Sequence, residues 1–225
     1  MTQSTRAITL PPTVFVVDDD DDLRESLVLL IEALGFAVRS FADGEEFRRT
    51  YDGITPGCLL LDVWLPTRSG IELYEQLLQE GKRLPVIFMT AHADVSTAVA
   101  AMKTGAIEFL EKPFDRVMLL DRIRKAIELD GQWRQRESEF RALDLQIAAL
   151  TSTDRETLAL LTQGHSNKSI AARLLISERA VELRRSRLMQ RLGAKTLAEL
   201  LDLTITHRVL DEVRFLTGQP LVSRR

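Results

Sequence analysis

The chain has a single cysteine, Cys58, among 225 residues. A disulfide within the chain needs two cysteines and a thiolate zinc site needs several, so both are excluded. A lone thiol fits a reducing compartment. No stretch approaches the roughly 18 uninterrupted apolar residues that span a bilayer. The opening MTQSTRAITLPP lacks the apolar core of a secretory signal. Membrane and secreted readings are therefore set aside and a cytoplasmic protein is expected. Internal repeats, low-complexity tracts and a Pro/Gly/Ser-rich flexible linker are also missing.

What is present is globular in composition, with 45% hydrophobic and 28% charged residues, and long enough for one large domain or two ordinary ones. The net charge of -3 hides an asymmetry. Residues 151–225 carry 13 Lys and Arg against 8 Asp and Glu, a balance of +5, which leaves 17 against 25, or -8, for residues 1–150. Acidic clusters suit a divalent cation and basic patches suit nucleic acid, so two halves with two tasks are expected.

From residue 13 to about 130, short apolar runs alternate with helical patterns. Thr13–Val17, Ala37–Arg39, Leu59–Asp62, Val86–Met89 and Ile107–Leu110 read as strands. Several are apolar without alternation, as strands covered on both faces are. Helical patterns fall near 22–34, 43–50, 70–80, 95–104 and 115–130. The expected fold class is α/β, a five-stranded doubly wound parallel sheet followed by a small all-α domain. Beyond Gly131 the spacing of Phe140, Leu143, Ile147 and Leu150 makes a short apolar stripe, suited either to pairing two chains or to packing on the first domain. Helices are then expected near 153–162, 167–174, 178–191 and 195–216, with Gly164, Asn167 and Ser177 at the links.

In a parallel α/β sheet, ligands bind beyond the carboxyl ends of the strands. Asp18 and Asp19 follow the first strand, Asp62 ends the third, Thr90 ends the fourth, and Lys112–Pro113 follows the fifth. Three crowded carboxylates repel unless a cation compensates them, and a hard ion with oxygen ligands and retained waters, Mg²⁺, fits. The lysine balances remaining charge and pairs with a phosphoryl oxygen, and the threonine hydroxyl bonds another. The set is suited to placing a phosphoryl group on a carboxylate. Asp62, alone at the end of an apolar strand, is the better nucleophile, because the last members of the run Asp18–Asp22 begin a helix.

The segments VFVVDDDDDLRESL, LLLDVWLPTRSGIEL, PVIFMTAHAD and AMKTGAIEFLEKPF resemble the receiver domains of two-component response regulators, a flavodoxin-like fold, over roughly residues 13–130. The resemblance implies that Asp62 is the phospho-acceptor, and that Asp18, Asp19, Asp62 and the backbone carbonyl of Trp64 hold Mg²⁺. It implies that Lys112 contacts the phosphoryl group through a segment with a cis Lys112–Pro113 bond, and that Thr90 and Phe109 are a switch pair. Pro66 and Gly70 fit the loop after the acceptor. A sensor histidine kinase is the implied partner.

In the basic half, residues 168–195 hold eight basic residues and two acidic ones. On the helix from Ser177, Val181, Leu188 and Leu192 are spaced for a buried side, and Glu178, Glu182, Arg185 and Met189 for another, which suits the major groove. A solvated face with Glu–Arg pairs would look the same on one helix alone. The block GHSNKSIA and its sequel, over roughly 148–205, resemble the LuxR-type helix-turn-helix of the NarL/FixJ regulators. By resemblance Lys168 and Arg185 contact DNA and Val181 and Glu182 lie near base edges, with Arg179, Arg184 and Lys195 completing the expected DNA-binding set. Four positions depart from the family: Thr153-Asp154 replaces a usual Arg-Glu pair, Ala180 a usual threonine, and Arg184 a usual histidine.

The expected layout is an extension over 1–12, a receiver domain over 13–130, a helical linker over 131–150, a DNA-binding domain over 151–208, and an unassigned tail over 209–225. The expected function is a phosphorylation-controlled regulator that binds promoter DNA and dimerises when phosphorylated. An aspartyl-phosphate phosphohydrolase is the enzymatic alternative, but such enzymes usually carry an acid/base carboxylate two residues after the nucleophile, where Trp64 stands here. The chain is therefore not expected to be an enzyme, beyond assisting its own phosphorylation and dephosphorylation. A receiver that signals through protein contacts without DNA is the third reading.

Overall fold

Unbroken apolar runs cannot face water on either side, and the strands Thr13–Val17, Gly57–Asp62 and Val86–Thr90 are buried throughout at the centre of the sheet. A computed structural model of the chain describes residues 11–92 and 94–217, of which 212–217 by backbone alone. Most of the expected N-terminal extension, Ala93 and the end of the tail (218–225) lie outside the described residues. The chain divides into two compact units, residues 1–134 and 135–225.

In the first unit the strands β1 (Thr13–Val17), β2 (Ala37–Phe41), β3 (Gly57–Asp62), β4 (Val86–Thr90) and β5 (Glu108–Glu111) form one sheet in the order β2-β1-β3-β4-β5, every pairing parallel. Side chains alternate across it. Phe15, Val17, Leu59, Leu61, Val86 and Phe88 enter one core layer with Phe47 of α2 (Gly44–Thr50), Leu73, Tyr74 and Leu77 of α3 (Gly70–Gln79), and Ala101 of α4 (Val95–Lys103). Val14, Val16, Cys58, Leu60, Ile87 and Met89 enter the other with Leu27 and Ile31 of α1 (Asp21–Ala33) and Leu119 and Ile123 of α5 (Arg116–Ala148). Each fully buried Val, Leu, Ile, Phe or Met side chain among them contributes roughly 1.5–3 kcal/mol. β2 extends to Phe41 because its register with β1 pairs Val17 with Phe41.

Two expectations are corrected here. The last helix of the first unit does not stop near Leu129. It runs unbroken through Gly131 to Ala148, 33 residues in all. One helical glycine costs only about 1 kcal/mol, less than the contacts made on either side of it. The apolar stripe, in turn, packs within the second unit itself, an arrangement outside the two uses expected for it. Leu150 is in the core of the second unit, Leu143 and Ile147 pack against that core, and the buried Phe140 ring stacks on His207 at 4.8 Å.

The second unit adds α6 (Ser152–Thr162), α7 (Asn167–Leu174), α8 (Glu178–Arg191) and α9 (Leu197–Thr217) around Leu158, Leu161, Ile170, Val181, Leu188 and Leu200. Thr151, Ser166 and Ser177 cap α6, α7 and α8 by accepting backbone N–H groups. Asn167 is thus the first helical residue, and the cap is Ser166. The α7–α8 turn passes through Leu175 at φ 53°, a left-handed conformation that costs a residue with a Cβ, and its side chain is 91% exposed. Leu175→Gly should raise stability by about 0.5–1 kcal/mol; an unchanged or lower urea midpoint would contradict this.

Candidate phosphoryl and DNA sites

The carboxyl edge of the sheet gathers the groups expected there. Asp18 is fully buried and Asp62 nearly so. Lys112 Nζ donates to Asp18 Oδ2 at 2.7 Å and to Asp62 Oδ2 at 2.8 Å. The other oxygens are also engaged: Asp18 Oδ1 accepts from Asp20 N–H at 3.1 Å, and Asp62 Oδ1 from Trp64 N–H at 3.1 Å. Burial pushes the Asp18 carboxyl above its usual range, only partly offset by Lys112. Burial disfavours the Lys112 charge, but its bonds to Asp18 and Asp62 outweigh that and hold its pKa above the usual value.

Asp19 completes the cluster from an exposed position, and one ligand oxygen from each of Asp18, Asp19 and Asp62 falls within 4.8 Å of the others. Three carboxylates against one ammonium leave a negative balance, and the donors are all hard oxygens, so the set fits a divalent cation. The peptide between Lys112 and Pro113 is cis. Gly70 sets how closely the loop after Asp62 returns. A Cβ at Gly70 would lie 2.0 Å from the Asp62 carbonyl oxygen, while its N–H donates to Val63 at 2.8 Å. Ser69 and Glu72 form a capping box that starts α3 at that point.

Thr90 is fully buried, and its hydroxyl donates to the His92 carbonyl at 3.1 Å and accepts from His92 N–H at 3.2 Å. Phe109 is half-buried against the α2–α3–α4 core layer, two register positions from Thr90, since Phe88 pairs with Phe109 and Thr90 with Glu111. Trp64 is 57% exposed beside the cluster.

In the second unit Lys168, Arg179, Glu182 and Lys195 are exposed, and Arg184 and Arg185 are half-buried. Arg185 Nη1 donates to Asn167 Oδ1 at 3.4 Å, at a cleft that Lys168 and Glu178 also line. Val181 is a correction. It has no exposed surface and lies in the core between α6, α7 and α8, so its side chain is out of reach of a base edge. Met189, grouped by spacing with the polar face, also packs against the core. The outward face of α8 instead presents Leu183, 53% exposed, and Ser186. The departure at Asp154 has a local partner, because its buried carboxylate accepts from Arg191 Nη1 at 2.5 Å.

One buried network carries no local sequence signal. Asp130, 3% exposed, accepts from Gly57 N–H at 2.9 Å and from Arg134 Nε at 2.7 Å. Arg134 also donates to the carbonyls of Ile54 and Thr55 at 2.6 and 3.1 Å. In sequence, Asp130 and Arg134 are an ordinary i,i+4 pair on a helix; nothing local signals that one of them is buried against the start of β3.

A cluster of carboxylates with a lysine at the carboxyl edge of a doubly wound sheet, followed by a capped helix-turn-helix, is the layout of a signal receiver joined to a DNA-binding module. Residues 14–124 match the response regulator receiver domain family, and residues 148–204 match the bacterial regulatory proteins of the luxR family. The chain is 38% identical to the transcriptional regulatory protein FixJ of Azorhizobium caulinodans, over 85% of this chain and 91% of that protein. It is 40% identical to the C4-dicarboxylate transport transcriptional regulatory protein DctR of Rhodobacter capsulatus, over 85% and 98%. Among solved structures, the response regulator StyR is similar with a TM-score of 0.77 and 41% identity, over 87% of this chain and 99% of that one. The chain belongs to the response regulators of the NarL/FixJ class.

Proposed function

We propose that the protein is a phosphorylation-controlled transcription regulator whose Asp62 takes a phosphoryl group from a sensor histidine kinase and whose second unit binds promoter DNA. The observation that carries this is the convergence of Asp18, Asp62 and Lys112 at the sheet edge with Asp19 beside them. Asp18, Asp19 and Asp62, with the Trp64 carbonyl, would hold Mg²⁺, which neutralises charge on the transferring phosphoryl group. The chain's own part is then to present a carboxylate oxygen of Asp62 in line with the leaving group and to place the Lys112 ammonium against a phosphoryl oxygen. The Thr90 hydroxyl, leaving its bonds to His92, would meet another phosphoryl oxygen, with Phe109 following it inward as the switch. The residue two positions past Asp62 is Trp64 and supplies no acid/base carboxylate, in keeping with a receiver rather than a phosphatase that turns over.

On the DNA side, Lys168, Arg179, Arg184 and Lys195 would meet phosphates, and Arg185 and Glu182 base edges. No described helix is long and apolar enough to cross a membrane, and the site of action proposed is the cytoplasm, as a homodimer when phosphorylated. The test is a paired measurement on the full chain with and without a phosphoryl mimic. Dimer fraction by sedimentation and affinity for its own promoter region should both rise. If neither moves while Asp62 is fully occupied, the switch is wrong; if the mass rises but DNA is never bound, signalling through protein contacts is the better reading.

A further inference from the structure

Lys112 and backbone N–H groups lock the carboxylates of Asp18 and Asp62, whereas among the described residues no hydrogen bond or ion pair holds that of Asp19. Asp19 must therefore owe its place to its backbone. The peptide joining it to Asp18 has its carbonyl oxygen at 2.8 Å from Arg24 Nη1. Arg24 lies in the first turns of α1 with its side chain only 15% exposed, and its other terminal nitrogen pairs with Asp21. A planar fork with five donors can serve two acceptors at once, which a lysine ammonium on a flexible stem does less well. The same tight segment has Asp20 capping α1 through Leu23 N–H at 3.1 Å.

We infer that Arg24 is a positioning residue for the cation site, pinning the Asp18–Asp19 peptide so that the free carboxylate of Asp19 stands beside those of Asp18 and Asp62. The inference rests on the Mg²⁺ reading above and adds a residue outside the ligand set. Two effects of Arg24 oppose each other. Its charge repels a dication, so by charge alone its removal would tighten Mg²⁺ binding. Its bond to the Asp18 carbonyl orders the loop, so by positioning its removal weakens Mg²⁺ binding. The sign of the change separates the two.

The experiment is calorimetric titration of the full chain with MgCl₂ alone, for the wild type, Arg24→Ala, Arg24→Lys and Asp21→Ala. Arg24→Ala should raise the Mg²⁺ Kd about tenfold, the worth of one charge-assisted hydrogen bond. Arg24→Lys, which keeps a donor for the carbonyl, should recover most of that. Asp21→Ala, which leaves the carbonyl contact in place, should stay within about threefold of wild type. Thermal melting without Mg²⁺ checks each fold, and Arg24→Gln replaces Arg24→Ala should the latter unfold. Unchanged or tighter Mg²⁺ binding on loss of the guanidinium overturns the role of Arg24 alone. A wild type that binds no Mg²⁺ overturns the metal reading and this inference together.

Discussion

Asp62→Asn should abolish phosphoryl uptake from a small acyl phosphate in the presence of Mg²⁺, while the wild type is labelled only when Mg²⁺ is present. The amide has nearly the shape of the carboxylate and can still accept the N–H of Trp64, which lies 3.1 Å from Asp62 Oδ1. What it would lack is the anionic oxygen proposed to attack phosphorus and one of the charges proposed to hold the cation. The fold should survive, because Asp18 keeps its bond from Lys112 and one member of a crowded anionic group is gone. Intact-protein mass spectrometry after incubation reads the outcome. Full labelling of the variant would place the acceptor elsewhere and reject the pocket as assigned.

Gly70→Ala should be the most destabilising single methyl addition around the pocket. Its Cβ would sit 2.0 Å from the Asp62 carbonyl oxygen and 3.0 Å from the carbonyl carbon, both backbone atoms at the end of a buried strand. Neither can rotate away as a flexible side chain would. Either the loop from Val63 to Ser69 moves or β3 does, and both options break the Gly70–Val63 hydrogen bond of 2.8 Å. A loss of more than about 3 kcal/mol in urea unfolding is expected, beyond the usual cost of overpacking, together with slower phosphorylation, since Asp62 shifts with its own backbone. A variant within about 1 kcal/mol of wild type would show that the loop is looser than its geometry implies.

These two residues differ in how far they could be read from sequence. Asp62 was legible because a carboxylate directly after LLL has only one place to go, the carboxyl edge of a parallel sheet. Lys112 and Thr90 were legible for the same reason, each following its own apolar strand. Gly70 was legible only through the family's loop pattern; its physical cause, contact with the backbone of Asp62, is a distance between residues eight apart. At Val181 spacing and resemblance point in different directions. Helical spacing placed it correctly on the buried side, and resemblance also placed it near bases; burial against α6 and α7 leaves only the first.

The stripe Phe140–Leu150 makes the same point from the other side. Its spacing correctly indicated one apolar helical face, but spacing carries no information on what covers that face. The cover comes from α9, more than fifty residues later, where His207 stacks on Phe140 and bonds Asp144 at 3.0 Å. Gly131 misled because a glycine lowers local helix propensity, and propensity is overruled once both flanks of a helix are packed.

By itself, then, the amino-acid sequence determined what depends on neighbours along the chain. It set the five strands, the apolar faces of Phe140–Leu150 and of Val181, Leu188 and Leu192, the polar residue at each of four strand ends and the acidic and basic halves, because period and local chemistry are one-dimensional properties. Tertiary structure alone decided which groups share an atom's breadth of space. Examples are Lys112 held between Asp18 and Asp62, Asp130 buried on Gly57, Arg191 on Asp154, and Arg24 on the peptide that carries Asp19. These contacts depend on register, crossover geometry and burial, which are settled only when distant segments pack and exclude water.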